Sequence, residues 1–175
     1  MDMEIQLLNT NYKIIDNFLD KDFYKNLKYF LYSESIPWYF KSIDSPNNTK
    51  NKNGFFSFCW YNNNRPHHIK YDEQIIPILE KLNYKSTIQV RANLVCRDKD
   101  TIETNFHKDY EYENSKTAIL YFTTCNAKTV LNIDNKEINI DSIENRMLIF
   151  NSNINHKVIY QTDVHKRIVI NFNYF

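Results

Sequence analysis

Residues 166–175, KRIVINFNYF, decide the fold of this chain. Strand side chains alternate between two faces, so Arg167, Val169, Asn171 and Asn173 share one side. Ile168, Ile170, Phe172 and Tyr174 share the other. An ordinary sandwich strand turns its polar face to water, whereas a jelly roll that encloses a ligand turns it inward. Periodicity alone leaves both open.

N-terminal to this segment the same period of two recurs. In 87–96, TIQVRANLVC, Ile88, Val90, Ala92 and Leu94 alternate with Gln89, Arg91 and Asn93. Further short runs follow at 116–124 (KTAILYFTT), 129–140 (TVLNIDNKEINI), 146–152 (RMLIFNS) and 156–162 (HKVIYQT). Asp134-Asn135 between two such runs predicts a two-residue hairpin turn. A series of short strands punctuated by Asn and Asp predicts an antiparallel sandwich or barrel.

Upstream, 11–32 opens with a short apolar strand and turns helical. Leu19, Phe23, Leu27 and Leu31, with Phe30, form one helical stripe that predicts a core-facing helix. Residues 71–82, YDEQIIPILEKL, predict a second helix that Pro77 either kinks or opens. Residues 55–61 read as an aromatic-rich strand. Trp38, Phe55, Phe56, Phe58, Trp60 and Tyr61 are expected mainly in the core, with a few at a pocket mouth. The polar stretch 45–54 is expected to be a loop, and a lid over substrate.

Composition narrows the function. With 175 residues, 42% of them apolar, the chain is expected to be one domain with one core. Within it, 1–86 would supply helical support and the lid, and 87–175 the core. A net charge of +1 gives no field for nucleic acid or an anionic membrane. The one glycine, Gly54, excludes glycine-rich phosphate cradles and leaves turns to Asn and Asp. No run approaches the roughly 20 apolar residues of a membrane span, and 1–13 lacks a secretory pattern. Cys59, Cys96 and Cys125, three widely spaced residues, read as reduced core thiols of a cytoplasmic protein. The richness in Asn, Lys and Ile suggests a phage or marine bacterial source.

The chemistry-bearing residues lie in and between these strands. His107 and Asp109, in 105–112 (NFHKDYEY), are two apart and point the same way if extended. His156 follows just after the apolar run MLIF, and Arg167 comes later in the last strand. Two imidazoles and one carboxylate are the facial set that holds non-haem Fe(II) and leaves open positions. That set leaves one net positive charge for an anionic chelator, and an arginine deeper in the barrel can clamp its far carboxylate. Singly, each residue has a commoner structural role: packing for the histidine, solvation for the carboxylate, a surface ion pair for the arginine. His67, His68 and His165 have no supporting pattern; 66–68 reads as an exposed loop from which His68 could reach a substrate.

In this order and spacing, His107, Asp109, His156 and Arg167 resemble the Fe(II)/2-oxoglutarate-dependent dioxygenases. The final RIVINFNYF is similar to the last strand of the prolyl hydroxylase-like branch, and 144–158, ENRMLIFNSNINHKV, to its strand before the second histidine. The resemblance covers about 88–175. It implies a mainly β double-stranded β-helix, a jelly roll, with flanking N-terminal helices. It further implies iron on His107, Asp109 and His156, 2-oxoglutarate on Arg167, dioxygen as oxidant, and ascorbate as reductant. By position, Tyr121 would hydrogen-bond the same co-substrate carboxylate and Asn171 would share its pocket. Asn93, on the polar face of its strand, is a further candidate. The expected activity is prolyl 4-hydroxylase-like hydroxylation in a protein or peptide, with release of succinate and CO2. Free amino acids, nucleobases and other small molecules are alternative substrates. A zinc-type hydrolase and a non-catalytic jelly-roll module are the rivals outside the family. Two departures stand out. Residues 125–131, CNAKTVL, offer Thr129 but no glycine, and 92–98 lacks the tyrosine of the hypoxia-sensing enzymes.

Overall fold

A computed structural model describes residues 5–6, 11–42, 54–97 and 101–175. The expected lid, 45–54, lies outside the described residues apart from Gly54. In chain order the elements are β1 (Ile5–Gln6), β2 (Tyr12–Ile15), α1 (Lys21–Tyr32), β3 (Tyr39–Ser42), β4 (Gly54–Asn62), β5 (Arg65–Pro66), α2 (Tyr71–Gln74) and α3 (Ile76–Lys81). There follow β6 (Thr87–Cys96), β7 (Lys116–Tyr121), β8 (Cys125–Ile133), β9 (Lys136–Ser142), β10 (Met147–Asn151), β11 (His156–Ile159) and β12 (Lys166–Tyr174).

The strands form two sheets. The larger has the order β1-β2-β10-β7-β12-β6-β4-β3, with β5 paired to β4, and the smaller has the order β11-β8-β9. Every pairing between named strands is antiparallel. Bridges from Glu103 to Ile159 and from His107 to His156 lay the segment 103–107 beside β11, on the edge of the smaller sheet. This is the expected mainly β core of jelly-roll type, with strands of the N-terminal part joined to its larger sheet.

Two apolar clusters show what each face of β12 does. Ile168, Ile170 and Phe172 pack with Leu27, Leu31, Trp60, Ile78 and Leu79, between the larger sheet and the helices. Val169 packs on the opposite side with Ile119, Tyr121, Leu131 and Phe150, between the two sheets. The polar face of β12 therefore turns inward, resolving the ambiguity left by its periodicity. Phe58 and Trp60 are core, as expected, and Phe55 lines the interior cavity. His68 departs from the expectation: its ring packs on Phe30 and Phe58, on the helix side of the sheet. The cysteines are free, but Cys59 and Cys125 are only partly buried and Cys96, at the end of β6, is exposed, so none is the core thiol expected.

Local chemistry sets the boundaries. Asp20 caps α1 by accepting a hydrogen bond from Phe23 N at 3.1 Å. The second predicted helix is broken at Ile75, and Pro77 falls in the first turn of α3, where its missing N–H costs nothing. Left-handed backbone occurs, among the described residues, at Asn17, Asn63, Asn64, Asn83, Asn114, Asp134, Asn135 and Asn145. Asp134 and Asn135 are the paired left-handed residues of a tight hairpin joining β8 to β9. Gly54 is not left-handed; a side chain there would meet the Phe40 ring and Lys41 O. No helix among the described residues is long and apolar enough to cross a membrane.

Asn145 combines a turn with a tie. Its Oδ1 accepts from Leu19 N at 2.9 Å and its Nδ2 donates to Leu19 O at 2.7 Å, pinning the approach to α1 onto the turn before β10. Asn145→Ala removes both bonds and leaves a β-carbon without compensation in left-handed backbone. A loss of about 2–4 kcal/mol is expected, read as a lower urea midpoint. Asn145→Gly, which relieves the backbone term alone, should lose roughly half as much.

Candidate metal and active site

A cavity of about 590 Å³ lies between the sheets. Its floor is the inward faces of β6 (Gln89, Arg91, Asn93, Val95) and β12 (Arg167, Val169, Asn171, Asn173). The paired bridge that holds β11 to segment 103–107 sets His107 directly against His156: each backbone N–H donates to the other's carbonyl, at 3.0 and 2.9 Å. Their rings lie 4.4 Å apart between centroids. Asp109 completes the group. Its Oδ1 is 3.9 Å from His107 Nε2 and 3.7 Å from His156 Nε2, and one donor atom from each residue falls within 4.8 Å of the others.

The surroundings orient all three. His107 Nδ1 lies 3.2 Å from Asn105 O and His156 Nδ1 lies 3.1 Å from Ile154 O. A carbonyl can only accept, so each Nδ1 carries a proton, and the tautomer this selects in a neutral ring has its lone pair on Nε2, free for a cation. Asp109 Oδ2 accepts from Thr117 Oγ1 and from Asn173 Nδ2, both at 2.9 Å, which leaves Oδ1 facing the imidazoles. Burial pushes the His156 imidazolium pKa down, against the pull of Asp109, and favours the neutral ligand form. Two imidazole nitrogens and one anchored carboxylate suit non-haem Fe(II), and the fixed Nδ1 and Oδ2 atoms are the outer supports such a centre needs.

At the other end of the cavity Arg167 is 3% exposed. Its Nε donates to Ser142 Oγ at 3.2 Å and its guanidinium lies 5.4 Å from the Tyr121 ring centroid. No acidic side chain pairs with it among the described residues, and burial lowers its pKa from the usual arginine range. Tyr160 lines the same end, its phenol pushed up to about 12 by burial, with Arg167 pulling it back. Arg91 Nε, Asn93 Oδ1 and Asn171 Oδ1 are buried without a hydrogen-bond partner among the described residues. Each such atom costs about 1–3 kcal/mol in a packed interior. Their concentration on one cavity wall marks a surface shaped for something other than packing.

Of the residues singled out in the sequence, His107, Asp109, His156, Arg167, Asn93 and Asn171 line this one cavity. Tyr121 does not line it. It is fully buried behind Arg167 and its hydroxyl donates to Thr129 Oγ1 at 2.8 Å, so that Thr129 faces the cavity in its place. Sequence reasoning missed Tyr160, although it shares the inward face of its run with His156 and Val158 by strict alternation. It also missed Thr117 as an anchor of Asp109, because that contact depends on the β7–β12 register that places Thr117 opposite Asn173.

No family model and no curated protein matches the sequence. Solved structures do match the fold. A 2OG-Fe(II) oxygenase family oxidoreductase from Burkholderia pseudomallei superposes with a TM-score of 0.72 at 8% identity, covering 97% of this chain and 87% of that one. A prolyl hydroxylase from Trichoplax adhaerens, solved with a peptide fragment of the hypoxia inducible factor oxygen degradation domain, gives 0.65 at 22% identity, covering 96% and 85%. A prolyl-4-hydroxylase from Pseudomonas putida gives 0.65 at 12% identity, covering 94% and 92%. The chain thus has the fold of the 2-oxoglutarate- and iron-dependent oxygenases, and its structural neighbours include prolyl hydroxylases.

Proposed function

We propose that this chain is an Fe(II)- and 2-oxoglutarate-dependent dioxygenase that hydroxylates a prolyl residue in a protein or peptide. One observation carries the reading: a His–Asp–His group and a buried guanidinium without an acidic partner among the described residues line the same cavity, in this fold. The peptide-bound Trichoplax prolyl hydroxylase supports the peptide substrate. A small molecule such as a free amino acid is the second reading, favoured by the polar floor that β6 and β12 give the cavity.

His107, Asp109 and His156 would hold the metal, and Arg167 the far carboxylate of 2-oxoglutarate. When bound, iron with 2-oxoglutarate and dioxygen supplies the oxidising chemistry that converts a substrate C–H to C–OH with release of succinate and CO2. The protein's part is orientation and exclusion of water. The Nδ1 protons held by Asn105 O and Ile154 O fix both imidazole planes. Thr117 and Asn173 hold the carboxylate against rotation. Arg167, dry and backed by Tyr121, presents a planar fork matched to a carboxylate. The Thr129 and Tyr160 hydroxyls at that end can donate to the same group, and the apolar walls Ile119, Val158 and Val169 keep water out. In this reading the chain works as one domain, with the N-terminal helices buttressing the outer face of the larger sheet.

Anaerobic addition of Fe(II) and 2-oxoglutarate should give a visible metal-to-ligand charge-transfer band, and aerobic turnover with ascorbate should give succinate. A hydrolase using the same ligands predicts no band. A non-catalytic jelly-roll module predicts no succinate with any peptide, amino acid or nucleobase supplied.

A further inference from the structure

The cavity floor carries a second guanidinium that the proposed chemistry does not use. Arg91 sits on the inward face of β6 opposite Asn171 of β12, whereas Arg167 sits opposite Val95. Four residues of β6 separate the two stations, about 13 Å at roughly 3.3 Å per residue. Arg167 is buried at its station, whereas Arg91 is only partly buried, and so are Phe55 and Tyr110, which line the cavity with it. Its guanidinium lies 5.6 Å from the Phe55 ring centroid, which holds the planar group in place.

Among the described residues the charges in this cavity do not cancel: its lining cations are Arg91, Lys108 and Arg167, and its one carboxylate is Asp109. Lys108 is satisfied by Glu111 at 3.0 Å. Both oxygens of Asp109 are committed, Oδ2 to Thr117 and Asn173 and Oδ1 towards the imidazoles. Arg91 has no ion pair among the described residues, and its Nε is buried without a partner. The residue lines the cavity, and that cavity is where an acceptor for its guanidinium can come from.

We infer that Arg91 receives a carboxylate of the primary substrate in the cavity, an assignment that rests on this cavity being the reaction chamber. The substrate then carries an anionic group near the carbon that reacts: a free amino acid, a C-terminal residue, or a residue beside an acidic side chain. Arg91 would thereby choose which C–H enters, while Arg167 serves the co-substrate.

Calorimetric titration with acid and amide pairs tests this, using L-proline against L-prolinamide, N-acetyl-L-proline against its amide, and tripeptides ending in proline in both forms. Each pair is titrated into the chain alone and into the chain held anaerobically with Fe(II) and 2-oxoglutarate. The acids should bind at least about tenfold more tightly than the amides, as expected for a charge-assisted fork. Arg91→Met should bring that ratio below about two, with Arg91→Lys between, because a point charge replaces only part of a fork. Thermal unfolding of Arg91→Met should stay close to the parent, since no ion pair is removed. Equal binding of acid and amide by the parent, binding of no acid at all, or a ratio preserved in Arg91→Met would each overturn the assignment. So would loss of 2-oxoglutarate affinity in Arg91→Met, which would move the residue to the co-substrate. A missing charge-transfer band with the acid preference intact would sink the dioxygenase reading and leave Arg91 as a carboxylate site.

Discussion

His107→Ala is expected to abolish substrate-triggered succinate formation and Fe(II) binding while leaving the fold intact. The side chain of His107 is 50% exposed, and among the described residues its one side-chain hydrogen bond is from Nδ1 to the local Asn105 carbonyl. The strand bridge that positions it runs through the backbone and survives truncation to Ala. Loss of outer supports of a metal ligand costs roughly 10–100-fold, so loss of a ligand should cost more than about 1,000-fold in turnover. His156→Ala should be equally inactive but also less stable. That ring is buried against Phe150 and His107, and its removal opens a cavity worth about 2–4 kcal/mol. Paired urea titrations and metal-binding measurements separate the two. An active His107→Ala, or one that binds Fe(II) like the parent, would remove the metal assignment.

The readable and unreadable parts of this site divide by the range of the interaction involved. The alternation of β12 placed Arg167, Asn171 and Asn173 on one face without any knowledge of its neighbours, and the hairpin at Asp134-Asn135 is a property of two residues. The direction of that face was not local. It depends on α1, α2 and α3 covering Ile168, Ile170 and Phe172, which no strand pattern encodes. Thr117 escaped notice because its meeting with Asp109 and Asn173 requires the β7–β12 register. Tyr121 shows the reverse case. By position the resemblance made Tyr121 a hydrogen-bond donor to the co-substrate carboxylate, but its hydroxyl donates to Thr129 and its ring lies near Arg167, so it backs the cation instead of lining the cavity.

Arg167→Met should separate binding from stability, with opposite signs. A fully buried guanidinium without an acidic partner among the described residues destabilises the fold, because neutral groups such as the Ser142 hydroxyl and the Tyr121 ring offset its desolvation only in part. Replacing it by an apolar side chain of similar length removes that cost and frees Ser142, so unfolding should occur at equal or higher denaturant, by about 0–2 kcal/mol. Binding of 2-oxoglutarate should fall sharply, since truncating one partner of a desolvated charge pair costs about 2–5 kcal/mol, roughly 30- to several-thousand-fold in affinity. Arg167→Lys keeps the charge but not the fork, and should recover part of the affinity while remaining less stable than Arg167→Met. Stability lost together with affinity would mean that Arg167 is a structural cation whose partner is internal, and the co-substrate site would then have to be sought elsewhere in the cavity. A more stable protein that no longer binds 2-oxoglutarate would mean that the fold tolerates a buried, unmatched charge because the ligand supplies its counter-ion.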